Sequence, residues 1–167
     1  MDLSGYSELT LVKREDFSDD LAVFHLRAEE PVDFTAGQYA TLGLLNSDAD
    51  RPLLRPYSVA SAPGSAELEF FIERVDEGAL TPRLWELDCG ADVWMRNKLV
   101  GRFVLDTART HHVMAATVTG VAPYVSIARA QMKALENGEL DTPYRFLILH
   151  GGSRSWIVEP EFIRALA

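Results

Sequence analysis

Through residue 105 the chain alternates between apolar and polar positions. Between Leu21 and Ala28, the residues Ala22, Phe24 and Leu26 interleave with Val23, His25 and Arg27. A period of two sends successive side chains to opposite faces of a strand. The same pattern predicts strands over Tyr6–Arg14, Tyr39–Leu45, Leu54–Ser61 and Leu68–Val75. Gly37 serves a turn before the third strand, and the polar run 46–50 reads as a hairpin tip. Asp92–Asn97 and Arg102–Leu105 would close the set. Closely spaced strands with short turns favour an antiparallel barrel over a parallel sheet. One short helix interrupts them, with Thr81 as N-cap, Pro82 at the first helical position, Leu84 and Leu87 inward and Gly90 as a stop. In the strand 68–75, Leu68, Phe70 and Ile72 share one face. Glu67, Glu69, Phe71 and Glu73 share the other, so Phe71 is an aromatic on a face that reads as wet.

The rhythm changes after the polar stretch 106–110, which sets a domain boundary between residues 106 and 107. His112–Thr117 reads as an apolar strand. A helix over Ala122–Asn137 follows, with Val125, Ala128, Met132 and Leu135 on one side and Gly138 as its stop. Tyr144–His150 is a second apolar strand, Gly151–Ser155 a loop and Glu159–Ala167 a further helix. Strand, helix, strand, helix is the opening of a doubly wound parallel sheet. The predicted fold class is therefore β plus α/β. A six-stranded antiparallel barrel spans 1–106, and an incomplete parallel α/β unit spans 107–167. Two parallel strands are too few to bury both faces of a sheet, and the edge at 144–150 is left unpaired. The expectation is a shortened chain, or one completed by another polypeptide or a second copy.

Charge is unevenly spread. Residues 1–50 carry 3 basic and 11 acidic side chains, residues 51–109 carry 8 and 9, and residues 110–167 carry 5 and 5, giving the net −9. An acidic total argues against nucleic acid as the partner, because phosphate contacts dominate that binding. A local basic patch would still serve an acidic protein partner. Cys89 is the single cysteine, so no internal disulfide forms, and it reads as a packed or inert thiol. No charged start leads into an apolar run, and no apolar stretch has the length of a membrane span. A soluble, cytoplasmic protein with no membrane partner is expected. His111 and His112 point to opposite faces of a strand, which makes a poor metal pair. They are expected to be solvated, and no metal site is expected.

The chemistry concentrates in Arg55-Pro56-Tyr57-Ser58. On a strand, Arg55 and Tyr57 lie on one face. They offer a planar, permanent cation suited to phosphate and an aromatic plane suited to a flat ring. Ser58 adds a hydroxyl that donates and accepts. Together these suit a flavin nucleotide. A barrel strand with a solvated arginine and a packed tyrosine fits the same spacing. The start of the helix at Thr81 offers backbone N–H groups to a pyrophosphate. At the carboxyl ends of the two parallel strands, small residues and Arg154 suit a second phosphate.

The motif order extends this reading. Gly37-Gln38-Tyr39, the Arg55–Ser58 element, Gly78-Ala79-Leu80-Thr81, the run 117–124 and His150-Gly151-Gly152-Ser153-Arg154 follow in turn. In that order they resemble the ferredoxin-NADP reductase family, most closely its bacterial flavodoxin/ferredoxin reductase branch, from about Tyr6 onward. The resemblance implies a hydride moving between NADP(H) and FAD, with single electrons passed to or from ferredoxin or flavodoxin. It implies that Tyr57 stacks on the flavin, that Ser58 hydrogen-bonds beside its reactive nitrogen, and that Arg55 and Pro56 belong to the FAD site. Phe71, Ile72, Ala79, Leu80 and Thr81 would line the rest of that site. Thr119, Gly120, Ser153 and Arg154 would hold the nicotinamide nucleotide, with Thr119 also near the flavin.

The chain departs from the family at Val118, where relatives usually carry glycine. A β-branched residue does not tolerate positive φ, so this loop is either extended or strained. Residues 156–162 also depart from the usual pattern. The family's ribose-phosphate loop and C-terminal tail have no counterpart. Beside the reductase reading stands a flavin-binding electron-transfer module without its own NADPH turnover. A weaker rival is a barrel that binds only a protein partner.

Overall fold

The computed structural model describes residues 3–45 and 52–152. Six strands form one antiparallel sheet: β1 (Tyr6–Ser18), β2 (Leu21–Val32), β3 (Tyr39–Leu44), β4 (Leu53–Ser58), β5 (Ser65–Glu73) and β6 (Asp92–Arg96). Their spatial order is β4-β3-β6-β1-β2-β5. The β1–β2 pairing shifts register between Leu11 and Lys13 and again between Asp16 and Ser18. Such irregularities bend a strand and deepen its twist, and the sheet curls. Its two edge strands meet just past β4, where Val59 bridges Phe70 and the Ala60 N–H donates to the Glu69 carbonyl at 2.8 Å. The result is a half-barrel.

The alternation read from the sequence sets the inside. Leu9, Leu11, Ala22, Phe24, Leu26, Leu42, Leu68, Phe70 and Ile72 form its core. The reading of the other face needs correction. Val23 and Phe71 are buried too, Phe71 at 4 % exposure, and Phe71 meets Phe17 edge-on at 5.9 Å. They lie under the second half of the chain rather than in water.

That second half is a parallel pair, β7 (His111–Thr117) and β8 (Arg145–Gly151). A 3₁₀ turn (Val118–Val121) and the helix α2 (Ala122–Glu136) connect them. Gly138 follows the helix with φ +71°, a conformation suited to glycine. Val121, Ala122, Tyr124, Val125 and Ile127 pack with Met114 against Leu21, Val23, Ala60 and Phe71. Burying such side chains contributes roughly 1.5–3 kcal/mol each, so this seam joins the two sheets firmly. The helix face differs from the one expected, because Met132 is 52 % exposed. The outer face of the parallel pair is open, as two strands alone imply: Val113 is 72 %, Leu147 57 % and Leu149 54 % exposed.

Three smaller expectations also change. Arg102–Leu105 is not a strand. Pairing beyond β6 falls to a bridge between Tyr39 and Val100, and Phe103 and Val104 are exposed. His112 is only partly solvated: its ring packs near Tyr144 and Phe146, with centroids 5.8 and 5.7 Å away. Cys89 is exposed rather than packed. The hairpin tip 46–50, the helix 159–167 and the departing stretch 156–162 lie outside the described residues. Among the described residues, no helix is long and apolar enough to cross a membrane.

One glycine fixes the joint between the two sheets. Gly37 has φ +97°, and a Cβ there would sit 2.0 Å from the Phe103 carbonyl oxygen and 3.3 Å from Ile127 Cδ1. The chain leading to β7 therefore lies directly against bare backbone. Gly37→Ala combines positive-φ strain with a backbone clash, and a loss of at least ~2 kcal/mol is expected. Urea denaturation should show a lower midpoint with an unchanged slope.

Candidate functional site

Strand β4 is an edge strand, paired with β3 so that Ser58 lies opposite Tyr39 and Tyr57 opposite Ala40. Its other side is therefore available to a ligand. Arg55 and Pro56 are exposed, while Tyr57 and Ser58 are half-buried. A second segment faces them. After β5 the chain turns at Val75, where the Gly78 N–H donates to the Val75 carbonyl at 2.8 Å. It then enters the helix α1 (Thr81–Trp85).

Thr81 does not cap that helix, as the sequence suggested. The N-cap position is Leu80, without a side-chain bond. The Thr81 hydroxyl instead reaches back, accepting from the Val75 N–H at 2.9 Å and donating to the Val75 carbonyl at 3.1 Å. This pair of bonds holds the 75–81 turn closed. Gly78 is required there, since a Cβ would sit 2.8 Å from the Val75 carbonyl oxygen.

Between strand and turn lies a cavity of about 310 Å³, lined by Arg55, Pro56, Tyr57, Glu73, Val75 and Gly78–Thr81. That is the lower end of the ligand-site range, ~300–1,000 Å³. Its size would admit part of a dinucleotide. Arg55 Nη1 donates to the Leu54 carbonyl at 2.8 Å. None of the described carboxylates forms an ion pair with its guanidinium. Burial pushes the Tyr57 hydroxyl up to about 12, against the pull of the nearby Arg55 charge. The aromatic therefore presents a neutral phenol.

The structure thus brings Arg55, Pro56, Tyr57, Ala79, Leu80 and Thr81 to one cavity. Ser58 ends the same strand. Phe71 and Ile72 lie elsewhere: Phe71 is in the seam under α2 and Ile72 in the barrel core. The side chain of Leu80 is also largely a core group, 1 % exposed. Glu73 and Val75 belong to the lining but were not singled out from the sequence. Their signal was positional, since Glu73 ends β5 and Val75 lies just past it as the chain runs into the turn.

A larger cleft of about 590 Å³ lies between the end of β1 and α1, bordered by Arg14, Arg74 and Trp85. It is the weaker candidate, because both guanidiniums are engaged. Arg14 pairs with Asp16 and donates to the Trp85 carbonyl, and Arg74 pairs with Asp76.

The second set of expected residues sits at the carboxyl end of β7. Thr119 is half-buried and Gly120 exposed in the 3₁₀ turn, and the turn's Val121 packs in the seam with Phe71. Ser153 and Arg154 lie outside the described residues. Val118 takes the strained alternative: its φ is +44°, the one non-glycine positive φ among the described residues. Its carbonyl accepts a hydrogen bond from His150 Nε2 on β8 at 2.8 Å, which requires the proton on that nitrogen.

Comparison with known proteins decides the family. A model described as the oxidoreductase FAD-binding domain matches residues 8–105. The chain belongs to the oxidoreductase FAD-binding domain family. It is similar to the flavodoxin/ferredoxin–NADP reductase of Escherichia coli (strain K12), 38 % identical over 120 residues, covering 70 % of this chain and 47 % of that protein. It is similar also to the ferredoxin–NADP reductase of Pseudomonas aeruginosa, 33 % identical over 146 residues, covering 86 % and 52 %. The chain thus spans about half the length of the curated relatives it matches. Among solved structures, a ferredoxin NADP⁺ reductase from Neisseria gonorrhoeae with bound FAD and NADP superposes with a TM-score of 0.73. That match is at 20 % identity and covers 98 % of this chain and 79 % of that one. A ferredoxin-NADP⁺ reductase from Plasmodium falciparum gives 0.77 at 16 % identity, covering 98 % and 66 %. At these identities the agreement concerns the fold. The family match covers the half-barrel that carries β4 and the 75–81 turn.

Two outcomes follow from the geometry. The folded Tyr57 pKa is raised above the unfolded value of ~10. Its contribution to stability is therefore complete below pH ~10 and is lost as pH rises toward about 12. A spectrophotometric titration should find a late phenol that is absent in Tyr57→Phe, and the variant should lose less stability over that window. At Val118, positive φ favours glycine over alanine by about 1 kcal/mol. Val118→Gly should accordingly be more stable than Val118→Ala in thermal melts, the reverse of the order at an ordinary backbone position.

Proposed function

We propose that the chain holds FAD against β4 and the 75–81 turn. In the reaction of the whole protein, it would then exchange a hydride with NADP(H) and single electrons with ferredoxin or flavodoxin. The observation that carries this reading is the meeting of Arg55, Tyr57 and the Gly78–Thr81 turn around one cavity, within the stretch matched by the FAD-binding family. The donor set fits the cofactor: a cation for phosphate, a neutral aromatic plane for a ring, and a hydroxyl beside it. FAD supplies both two-electron and one-electron chemistry, and the protein supplies placement and electrostatics.

Arg55 binds the pyrophosphate through charge-assisted N–H bonds. Glu73 borders the same cavity, and like charge keeps phosphate from its side. The pyrophosphate therefore lies toward Arg55 and an uncharged part of the ligand toward Glu73. Tyr57 stacks as a phenol and holds its proton throughout the physiological range. Ser58 offers its hydroxyl at the end of the strand, where it donates to or accepts from the ring edge. Pro56, Ala79, Leu80 and Thr81 exclude water from the remaining wall. Phe71, packed under α2, and Ile72, in the half-barrel core, are not assigned ligand contacts. Thr119 and Gly120 are assigned to the nicotinamide nucleotide, because ligands of doubly wound sheets sit at the carboxyl ends of the strands. Ser153 and Arg154 are assigned to its phosphate from sequence. The open outer face of β7 and β8 supports the expectation of a completing polypeptide or a second copy.

The deciding experiment is a visible spectrum of the purified protein with FAD, before and after anaerobic NADPH. Flavin absorbance that NADPH bleaches supports the reductase. A yellow protein that NADPH leaves unchanged supports the electron-transfer module. A protein that stays colourless after FAD addition refutes the flavin site. Arg55→Ala should weaken FAD binding by roughly 1.5–3 kcal/mol, the range for a hydrogen bond to a charged group. Unchanged affinity in equilibrium dialysis would remove Arg55 from the site.

A further inference from the structure

The helix α2 does more than cover the apolar seam, because one of its faces grips the backbone that follows β4. Ser126 is 0 % exposed, and its Oγ donates to the Ser61 carbonyl at 2.8 Å. Nearly one turn on, Arg129 Nη1 donates to Glu69 Oε2 at 2.7 Å and to the Ala60 carbonyl at 3.3 Å. A further turn on, Lys133 Nζ donates to the Pro63 carbonyl at 3.0 Å. Spacings of three and four place these side chains on one helical face. Their backbone targets are three carbonyls within residues 60–63, in the connection from β4 to β5. The half-barrel fixes the same connection from its own side. The Val59 N–H donates to the Gln38 carbonyl at 3.2 Å, and Ser61 Oγ accepts from the Glu69 N–H at 3.3 Å.

Apolar contact alone would hold the helix down, but it is not directional. Hydrogen bonds are directional. Bonds to closely spaced carbonyls therefore set where the connection lies, beyond the mere adhesion of the helix. Val59 follows Ser58 directly. We infer that Ser126 and Arg129 are positioning residues, which act through the 60–61 backbone to set the lie of Tyr57 and Ser58 against a bound flavin ring. This rests on the reading of β4 as the flavin strand. The Ser126 bond carries the greater weight, since it is wholly buried. The side chains of Arg129 and Glu69 are each 25 % exposed, and solvent weakens their pairing.

The test compares Ser126→Ala, Arg129→Met and Arg129→Lys with Met132→Ala, a change at an exposed position of the same helix. Two quantities are read: amide hydrogen exchange at Val59 and Ala60 in FAD-free protein, and the fluorescence and visible spectrum of FAD bound at saturation. Ser126→Ala should speed exchange at those amides on the order of tenfold, the size of one net hydrogen bond. Exchange across the β1–β2 pairing should stay unchanged. Flavin fluorescence should rise severalfold as stacking on Tyr57 loosens. Arg129→Met should shift both readouts in the same direction, Arg129→Lys should restore much of the loss, and Met132→Ala should change neither. If Ser126→Ala does not fold, the Arg129 pair carries the same two readouts at a part-exposed site. Faster exchange with an unaltered flavin spectrum would reduce the two residues to a structural role and overturn the inference, as would unaltered exchange. A wild-type protein that binds no FAD would sink the flavin reading itself. A yellow wild type with variants like it would sink the inference alone.

Discussion

The outer face of β5 must be covered, and α2 is what covers it. Phe71 and Val23 are apolar groups on the side of the half-barrel turned away from its core, and with Leu21 they would otherwise face water. Packing Val121, Ala122, Val125 and Ile127 on them removes that cost. Much of the architecture follows. The helix can lie in one place, so the 3₁₀ turn at its start is carried to the flank of β5. The connection after β4 comes within reach of Ser126, Arg129 and Lys133. The approach of β4 and the 118–121 turn is thus a result of burying one aromatic face.

The strands were readable because their chemistry is local. Alternation around Phe24 and Phe70 gives both the elements and the inward face without knowledge of their neighbours. The Arg55–Ser58 element was readable for the same reason, since a strand fixes which residues share a side. Other features depend on tertiary partners. Phe71 reads as an exposed aromatic among carboxylates until the covering helix is known. Thr81 followed by proline has the local form of a cap, yet its hydroxyl finds a better pair of partners at Val75. Arg102–Leu105 has the apolar content of a strand, but the tight approach of Phe103 to Gly37 commits its backbone elsewhere.

Val118 shows how far residue type alone can lead. Its β-branched side chain restricts the turn to two states, extended or strained, and the chain adopts the strained one at φ +44°. The helix that follows begins four residues later, pinned by Tyr124 Oη donating to the Ala115 carbonyl at 2.8 Å. Two fixed points so close together leave little slack for an extended path. The strain is imposed by the placement of α2, and the His150 bond to the Val118 carbonyl holds the turn in that state.

The contact between Gly37 and the Phe103 carbonyl has a consequence for how ligands enter. A hinge needs a few residues free to change φ and ψ. Here the crossing peptide is wedged against an α-carbon with no room for a methyl group, and the wedge is backed by Ile127. The two sheets do not behave as jaws that close on a guest. The spacing of the two sheets at this crossing is already set when the polypeptide folds.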